Sequence, residues 1–205
     1  MTPAPHDEKL HPVPLPLHTE RLLLRDVQPE DWRDVHGYAS DPEVVKYMIW
    51  GPNTEEQSRA HAAAHSRAPA QSPRAAWELV LELKRTGKVI GGCGIRVRST
   101  VHRDADIGYV LHRDYWGQGI IAEAASAIVE VGFSTLRMHR IWATADPENL
   151  RSIHVLERLG MRLEGRLREH LWCKQRWRDS ALYSVLEHEW AARRAAGLAG
   201  PTPGA

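Results

Sequence analysis

The sequence predicts a mixed α/β domain in which helices pack on a central sheet. Segments with an apolar residue at every second position, the period of a half-buried strand, alternate along the chain with segments of helical period. Glycine, proline and aspartate separate these segments, as expected for turns. The 205 residues are 42% hydrophobic, which is enough for one domain with a sizeable core.

The first third of the chain is predicted to form one strand and three helices. The strand is RLLLRDV at 21–27. Proline and acidic residues at the start of the next segments are typical of helix N-termini, and Thr54 is the expected N-cap of the third helix. The three predicted helices span 28–40, 41–48 and 53–68.

The remainder is predicted to alternate strands and helices between two hairpins. The alternating segment AWELVLELK ends in RTGK, which predicts a hairpin turn. The helix after the third strand of this part should bury one apolar face. That face comprises Ile121, Ala124, Ala125, Ile128, Gly132 and Leu136. The predicted strands are 76–84, 89–100, 104–112, 139–145, 161–172 and 180–190, and the helices are 120–136 and 149–160.

The ends of the chain differ in composition from its centre. Residues 1–17 are rich in proline and histidine and are expected to form a loose arm. Residues 191–205 are expected to form a frayed tail, because they end in AGLAGPTPGA. The folded domain is therefore predicted to span 18–190.

Composition argues against several classes of protein. The net charge of +1, from 27 basic and 26 acidic residues, does not suit a general nucleic-acid binder. Two cysteines, Cys93 and Cys173, suggest a reducing compartment without a disulfide framework. No secretory signal and no apolar run of ~20 residues is present, so a cytoplasmic protein outside the membrane is expected. His61 and His65 have the spacing of metal ligands on a helix, but no third ligand accompanies them, so no metal is expected.

The segment WGQGIIAEA at 116–124 places glycines at the start of a helix. Unpaired N–H groups and the helix dipole make such a start suitable for a phosphate. Residues 117–122 fit the dinucleotide pattern G-x-G-x-x-A, and Asp146 ends the next strand, where a ribose-binding acid would lie. However, residues 112–116 separate the first glycine from its strand, and too few βαβ units follow. This context argues against a dinucleotide enzyme.

Six motifs instead occur in the order that one enzyme family shows. They are TERLLLRDVQPED, DIGYVL, YWGQG followed by AEA, NLRS followed by LERLGM, EGRLRE, and RWRDSALYSVL. Across about 18–190 the chain resembles the GNAT superfamily of acyl-CoA N-acyltransferases, and most closely the RimJ/RimL-type N-acetyltransferases. The chain departs from the usual loop pattern [QR]-x-x-G-x-[GA] in having Trp116 first and Ile121 last.

The resemblance implies the GNAT fold, a mostly antiparallel sheet with a V-shaped splay and helices on both faces. It implies acetyl-CoA as co-substrate, with the pantetheine pairing as an added strand along 107–112. The pyrophosphate is then expected on the N–H groups of the glycine loop. Asn149 and Ser152 are expected to face the pantetheine and the thioester sulfur. The implied coenzyme contacts are Val110, Leu111, His112, Gly117, Gln118, Gly119, Ile120, Ile121, Ala122, Asn149 and Ser152.

The resemblance also implies direct attack of an amine on the thioester in a ternary complex, without an acyl-enzyme. Neither cysteine is then expected to be a nucleophile. A backbone N–H near Val110 or Leu111 is the expected donor to the oxyanion. Ser152 is the expected general acid, with Tyr109 and Tyr115 as alternatives.

No carboxylate is marked as the base by the sequence alone. Related enzymes place a glutamate at a position that here holds Leu171. Glu169, two residues earlier, is the first candidate, because strand alternation should turn it inward with Leu167 and Leu171. Asp106 is the second candidate, and a relay through water would make a base unnecessary.

The acceptor is expected to be a primary amine, either on a small cation such as an aminosugar antibiotic or a polyamine, or at a protein N-terminus. Trp50, in the loop YMIWGP, either lines the acceptor pocket or packs against its neighbours. Pairing into a homodimer is compatible with the resemblance. Because Leu171 replaces a carboxylate, a catalytically degenerate domain that binds coenzyme A or a protein partner is the alternative function.

Overall fold

The structure, a computed structural model, describes residues 10–70 and 73–198. Eight strands form one sheet in the order β1-β2-β3-β4-β5-β6-β8-β7. All neighbouring strands are antiparallel except β5 and β6, which are parallel. The strands are β1 (Leu17–His18), β2 (Leu22–Asp26), β3 (Ala76–Leu83), β4 (Lys88–Ser99), β5 (Asp104–Leu111), β6 (Arg140–Ala145), β7 (Arg162–Cys173) and β8 (Arg176–Leu186).

Six α-helices accompany the strands in the described residues. Thr54 caps the third helix as predicted, since its hydroxyl accepts a hydrogen bond from the Gln57 N–H. The helices are α1 (Trp32–Ala39), α2 (Pro42–Val45), α3 (Glu55–His65), α4 (Ile120–Ser134), α5 (Leu150–Arg158) and α6 (Glu187–Ala195).

Strand alternation divides the apolar residues between two cores, one on each face of the sheet. Leu79 and Leu81 on β3 belong to the larger core, which also contains apolar residues of α4, α5 and α6. Val80, between them, belongs to the smaller core with residues of α1, α2 and α3. Helices therefore cover both faces, as the sequence predicted.

Helix α4 is buried more completely than its predicted single apolar face. Every residue from Ala124 to Phe133 is buried, including Glu130. This carboxylate accepts hydrogen bonds from the Trp190 indole and the Arg194 guanidinium, both on α6. Helix α6 therefore covers the polar side of α4 and supplies the partners that a buried acid requires.

The predicted strand at 180–190 is wrong in its last four residues. Strand β8 ends at Leu186, and residues 187–195 form α6. Acids stand in the first turn of α6 and arginines in its last turn, which suits the helix dipole. Part of the expected tail is thus helical, and residues 199–205 lie outside the described residues.

The N-terminal segment lies partly within the described residues. Leu10, Val13 and Leu15 are half-buried against the larger core, and Leu17 pairs with Leu24 of β2. This part of the expected arm therefore packs on the domain instead of lying loose. Residues 1–9 lie outside the described residues, and the division of the chain at residues 17 and 190 stays a prediction.

Strands β5 and β6 pair over only three residues. Asp104, Ala105 and Asp106 face Arg140, Ile141 and Trp142 in register. Beyond this point β5 continues against β4 as far as Leu111, while β6 continues against β8 as far as Ala145. Each half of the sheet keeps its own neighbour, so the two strands separate and the predicted V-shaped splay is confirmed.

Gly132 packs closely against the strands that α4 covers. A Cβ placed there would lie 2.5 Å from Ile141 Cδ1 and 2.7 Å from Ile95 Cδ1. We expect Gly132→Val to lower the free energy of unfolding by about 1–3 kcal/mol through overpacking. The control is Gly165→Ala, because a Cβ on Gly165 would meet nothing within 4 Å. Urea unfolding midpoints that fall equally in both variants would contradict this packing.

Candidate active site

A cleft of about 520 Å³ opens where β5 and β6 separate. The second half of β5 and the end of β6 form its sides. The loop before α4, the start of α5 and the α2 region also contribute lining residues. The sequence-predicted residues that line it are Tyr109, Val110, Leu111, Tyr115, Gly117, Gly119, Ile120, Ile121, Ala122, Asn149 and Ser152. The splay thus brings together residues from distant parts of the chain.

The glycine loop adopts a conformation that few other residues would allow. Gly117 has φ 74° and Gly119 has φ 73°, both in the left-handed region. Gly119 is the N-cap of α4, and no described side chain caps this helix start. The first-turn N–H groups therefore remain available to an anion.

The fit of this loop to a pyrophosphate follows from its open surface. A Cβ added to Gly117 would meet nothing within 4 Å, so the backbone there can be approached directly. Ile121, which departs from the family pattern, is half-buried and packs against the larger core while it also lines the cleft. Its backbone N–H lies in the first turn of the 15-residue α4 and carries the positive end of the helix dipole.

Two predicted contacts have other roles in the described structure. The Gln118 side chain donates to the Asp114 carbonyl, and the Gln118 backbone carbonyl accepts from Arg21. The His112 imidazole accepts from the Asp114 N–H and caps the 3-10 turn at Arg113–Tyr115. Neither residue is part of the described cleft lining.

The exposed edge of β5 is set by strand alternation. The His112 N–H donates to the Ile90 carbonyl, so it faces β4. The backbone groups of Tyr109 and Leu111 alternate with it and therefore face the splay. The Leu111 carbonyl accepts from the Trp116 indole at 2.8 Å. Of the two predicted oxyanion donors, Val110 pairs toward Gly92 of β4, and only the Leu111 N–H faces the cleft.

Two hydroxyl groups meet across the cleft. The Asn149 side chain caps α5 by accepting from the Ser152 N–H at 3.2 Å. This cap fixes the first turn of α5, in which the Ser152 Oγ lies 3.0 Å from the Tyr109 hydroxyl. Burial raises the pKa of Tyr109, and the hydrogen bond with Ser152 lowers it by less. The phenol therefore stays protonated at neutral pH.

A buried ion pair lies in the cleft lining and was not predicted from the sequence. The Asp146 Oδ2 is 3.5 Å from the Arg178 Nε, and the two side chains are 4% and 10% exposed. Arg178 also donates to the Tyr47 carbonyl at 2.6 Å. Asp146 ends the strand that the sequence predicted, but it was considered only as a ribose ligand. Its position at the end of β6, beside the splay, is the signal that could have identified it.

Glu169, the first base candidate, does not face inward. Leu167 pairs with Ser180 and Leu171 with Arg178, so three residues of β7 lie opposite the single residue Asp179. This bulge breaks the alternation on which the prediction rested. Glu169 is exposed, has φ 48°, and its N–H donates to Asp179 at 2.8 Å. The predicted inward orientation is therefore wrong.

Asp106 and Trp50 also lie outside the described cleft lining. Asp106 belongs to the three paired residues of β5 and forms an ion pair with Arg98 on β4. Trp50 is 37% exposed, whereas Tyr47 and Met48 just before it line the cleft. Residues next to Trp50 in the sequence therefore line the cleft, and Trp50 itself does not; that this segment forms the acceptor wall stays a prediction.

The remaining sequence candidates lie away from this chemistry. Within residues 10–70 and 73–198, no group of three or more potential metal ligands comes together. The His61 and His65 rings lie 4.0 Å apart, and His65 contacts Glu78. Cys93 is buried, and burial raises its thiol pKa to about 12. No helix in the described part of the chain has the length and apolar character that crossing a membrane requires.

Comparisons with known proteins agree with this geometry. The model of the acetyltransferase (GNAT) domain matches residues 21–162. An uncharacterized N-acetyltransferase of Bacillus licheniformis, p20, is 36% identical over 85% of this chain and 98% of its own. The spermidine N(1)-acetyltransferase of Escherichia coli K12 is 25% identical over 83% of this chain and 89% of its own.

Solved structures show the same fold. A GNAT-family acetyltransferase from Bacillus anthracis has a TM-score of 0.76 and 32% identity, covering 84% of this chain and 99% of its own. Mycobacterium smegmatis RimJ in complex with CoA-disulfide has a TM-score of 0.74 and 25% identity, covering 88% of this chain and 91% of its own. The chain belongs to the GNAT acetyltransferase family and is an acetyl-CoA-dependent N-acetyltransferase of RimJ-like type.

The glycine loop yields a direct prediction about coenzyme binding. We expect Gly119→Glu to weaken binding of CoA by at least ~1–3 kcal/mol, because a carboxylate would oppose the pyrophosphate. Gly87→Glu is the matched control, since Gly87 has φ 69° and open space but lies in the β3–β4 hairpin. Calorimetry should show weaker CoA binding only for the first variant. Unchanged affinity in folded Gly119→Glu would remove the loop from the binding site.

Proposed function

We propose that this GNAT-family enzyme transfers the acetyl group of acetyl-CoA to a primary amine of a small cation such as a polyamine. Transfer occurs by direct attack in a ternary complex. The observation that carries the proposal is that one cleft contains an anion-binding helix start, a pair of hydrogen-bonded hydroxyls and a buried carboxylate. These groups match the demands of thioester aminolysis, which are coenzyme binding, protonation of a thiolate and attraction of an amine.

The coenzyme would lie along the splayed edge of β5. N–H groups from Gly117 to Ala122 would hold its pyrophosphate, and the edge of β5 at Tyr109 would pair with its pantetheine. When bound, acetyl-CoA supplies the activated carbonyl that the amine attacks. The Leu111 N–H then donates a hydrogen bond to the oxyanion that develops on that carbonyl.

Proton transfer to the leaving sulfur is assigned to Ser152. Its hydroxyl lies on the first turn of α5, 3.0 Å from the Tyr109 hydroxyl, which is also 3.1 Å from the Ser152 carbonyl. Because burial raises the pKa of Tyr109, the phenol holds its own proton and orients Ser152, which regains a proton from the amine through water. Cys93 and Cys173 are both buried, which agrees with a reaction that has no acyl-enzyme.

The acceptor amine is proposed to approach from the side of Asp146 and the α2 region. The buried Asp146 carboxylate at the end of β6, whose charge Arg178 balances, would accept a hydrogen bond from the acceptor ammonium group. Neither Glu169 nor Asp106 is part of the described lining, and Asp146 is already engaged by Arg178 and the Glu148 N–H, so the amine proton is assigned to water. The spermidine acetyltransferase relative supports a polyamine as the acceptor.

The decisive experiment is a panel of acceptors in an acetyl-CoA consumption assay. Polyamines, aminosugar antibiotics and peptides with free N-termini should be compared at equal concentration. Polyamines are expected to give the highest kcat/KM. A higher value for peptides would indicate that the acceptor is a protein N-terminus, which the sequence also allows. CoA binding without turnover of any amine would instead favour a degenerate binding domain.

Ser152 should affect turnover more than coenzyme affinity. We expect Ser152→Ala to lower kcat by roughly a hundredfold, the low end for a general acid, because a thiolate leaves readily. The Kd for CoA should stay within about twofold, since the backbone cap by Asn149 survives the substitution. Ser66→Ala, at the end of α3, serves as the control. Steady-state kinetics with full turnover in Ser152→Ala would reduce this residue to a structural role.

Asp146 should act on the acceptor alone. We expect Asp146→Asn to raise the acceptor KM about tenfold, the scale of one lost charged hydrogen bond, while the Kd for CoA is unchanged. Asparagine can still accept from the Glu148 N–H, which Asp146 does at 2.9 Å. Asp104→Asn is the control. Asp104 lies at the start of β5, outside the described cleft lining, and accepts hydrogen bonds from Arg140 and Trp142. An unchanged KM for the best acceptor would remove Asp146 from the acceptor site.

A further inference from the structure

Arg21, from the motif TERLLLR, contacts the loop that precedes α4. Its Nη1 donates to the Gln118 carbonyl at 2.8 Å, and its Nε donates to Glu123 Oε2 at 2.7 Å. One guanidinium group therefore joins the start of β2 to both the glycine loop and the first turn of α4. The proposed reaction assigns no role to this arginine.

The carboxylate that holds Arg21 is itself firmly held. Glu123 Oε1 accepts from the Thr19 hydroxyl at 2.5 Å and from the Arg21 N–H at 2.8 Å. Burial alone would raise the pKa of Glu123, but the hydrogen bonds from Thr19 and Arg21 outweigh it and lower the pKa. Glu123 is thus ionised at neutral pH and fixes the direction of the guanidinium fork.

The peptide that Arg21 contacts is the one that most needs to be fixed. Gln118 lies between Gly117 and Gly119, and glycines leave the backbone many conformations. The carbonyl and N–H of a trans peptide point in opposite directions. A Gln118 carbonyl held by Arg21 therefore directs the Gly119 N–H to the opposite side of the loop.

We propose that Arg21 is a positioning residue for the coenzyme, which orients the Gly119 N–H toward the pyrophosphate through its hydrogen bond to the Gln118 carbonyl. This inference rests on the proposed function, because it requires that the glycine loop bind CoA. Arg21 acts on the pyrophosphate end only, so its effect should disappear for a ligand that lacks phosphate groups.

The test compares Arg21→Lys with Arg103→Lys. Lysine keeps the charge but cannot bridge a carbonyl and a carboxylate with a fork of fixed geometry. Arg103 makes an equivalent bridge elsewhere, to the Arg137 carbonyl and to Glu187. The two arginine side chains are similarly exposed, at 39% and 33%. Calorimetry measures the Kd for CoA, displacement calorimetry the Kd for pantetheine, and hydrogen exchange the protection of amides 117–122.

In Arg21→Lys we expect the Kd for CoA to rise about tenfold, the Kd for pantetheine to stay unchanged, and exchange at amides 117–122 to become faster. Arg103→Lys should leave all three unchanged. An unaltered CoA affinity in Arg21→Lys would overturn the inference, as would an equal loss for CoA and pantetheine, which would indicate general damage to the domain. Wild-type protein that binds no CoA would instead refute the proposed function itself.

Discussion

The arrangement of the molecule depends on the short pairing between β5 and β6. Three residues pair, and then β5 follows β4 while β6 follows β8. The separation leaves the strand edge at Tyr109 and Leu111 without a neighbouring strand. Backbone N–H and C=O groups need hydrogen-bond partners, so this edge is suited to binding an extended ligand. It also places the starts of α4 and α5 on the two sides of the same opening. The cleft is therefore a consequence of sheet topology, and side chains only refine it.

Contacts between distant segments hold the two ends of this cleft. Arg21 and Glu123 link the first strands to the glycine loop, and Arg178 links β8 to the α2 region through Tyr47. Charged side chains with several hydrogen bonds make these links, and such groups are strong only when their geometry is fixed. Both links leave the centre of the cleft to neutral hydroxyl groups, those of Ser152 and Tyr109, which lie 3.0 Å apart.

Two errors in the predictions, one in the site and one in the fold, have the same physical origin. The inward orientation of Glu169 assumed unbroken strand alternation, and the bulge opposite Asp179 breaks it. The strand predicted to reach residue 190 ends at Leu186, because a helix with suitably placed charges and a buried Trp190 replaces its last residues. Periodicity describes regular elements well, but it does not report where an element becomes irregular.

The sequence by itself determined the mixed α/β class, most element positions, the glycine loop and the placement of Asn149 and Ser152 one turn apart at a helix start. These are local properties, since they depend on period, capping and backbone freedom within a few residues. Only the tertiary structure decided that Tyr109 meets Ser152, that Asp146 pairs with Arg178 and that Arg21 reaches Gln118. Each of these contacts joins residues at least 32 positions apart in the printed sequence, and the splay and strand order bring them together. No local pattern encodes such a distance, because it depends on how the whole sheet is assembled.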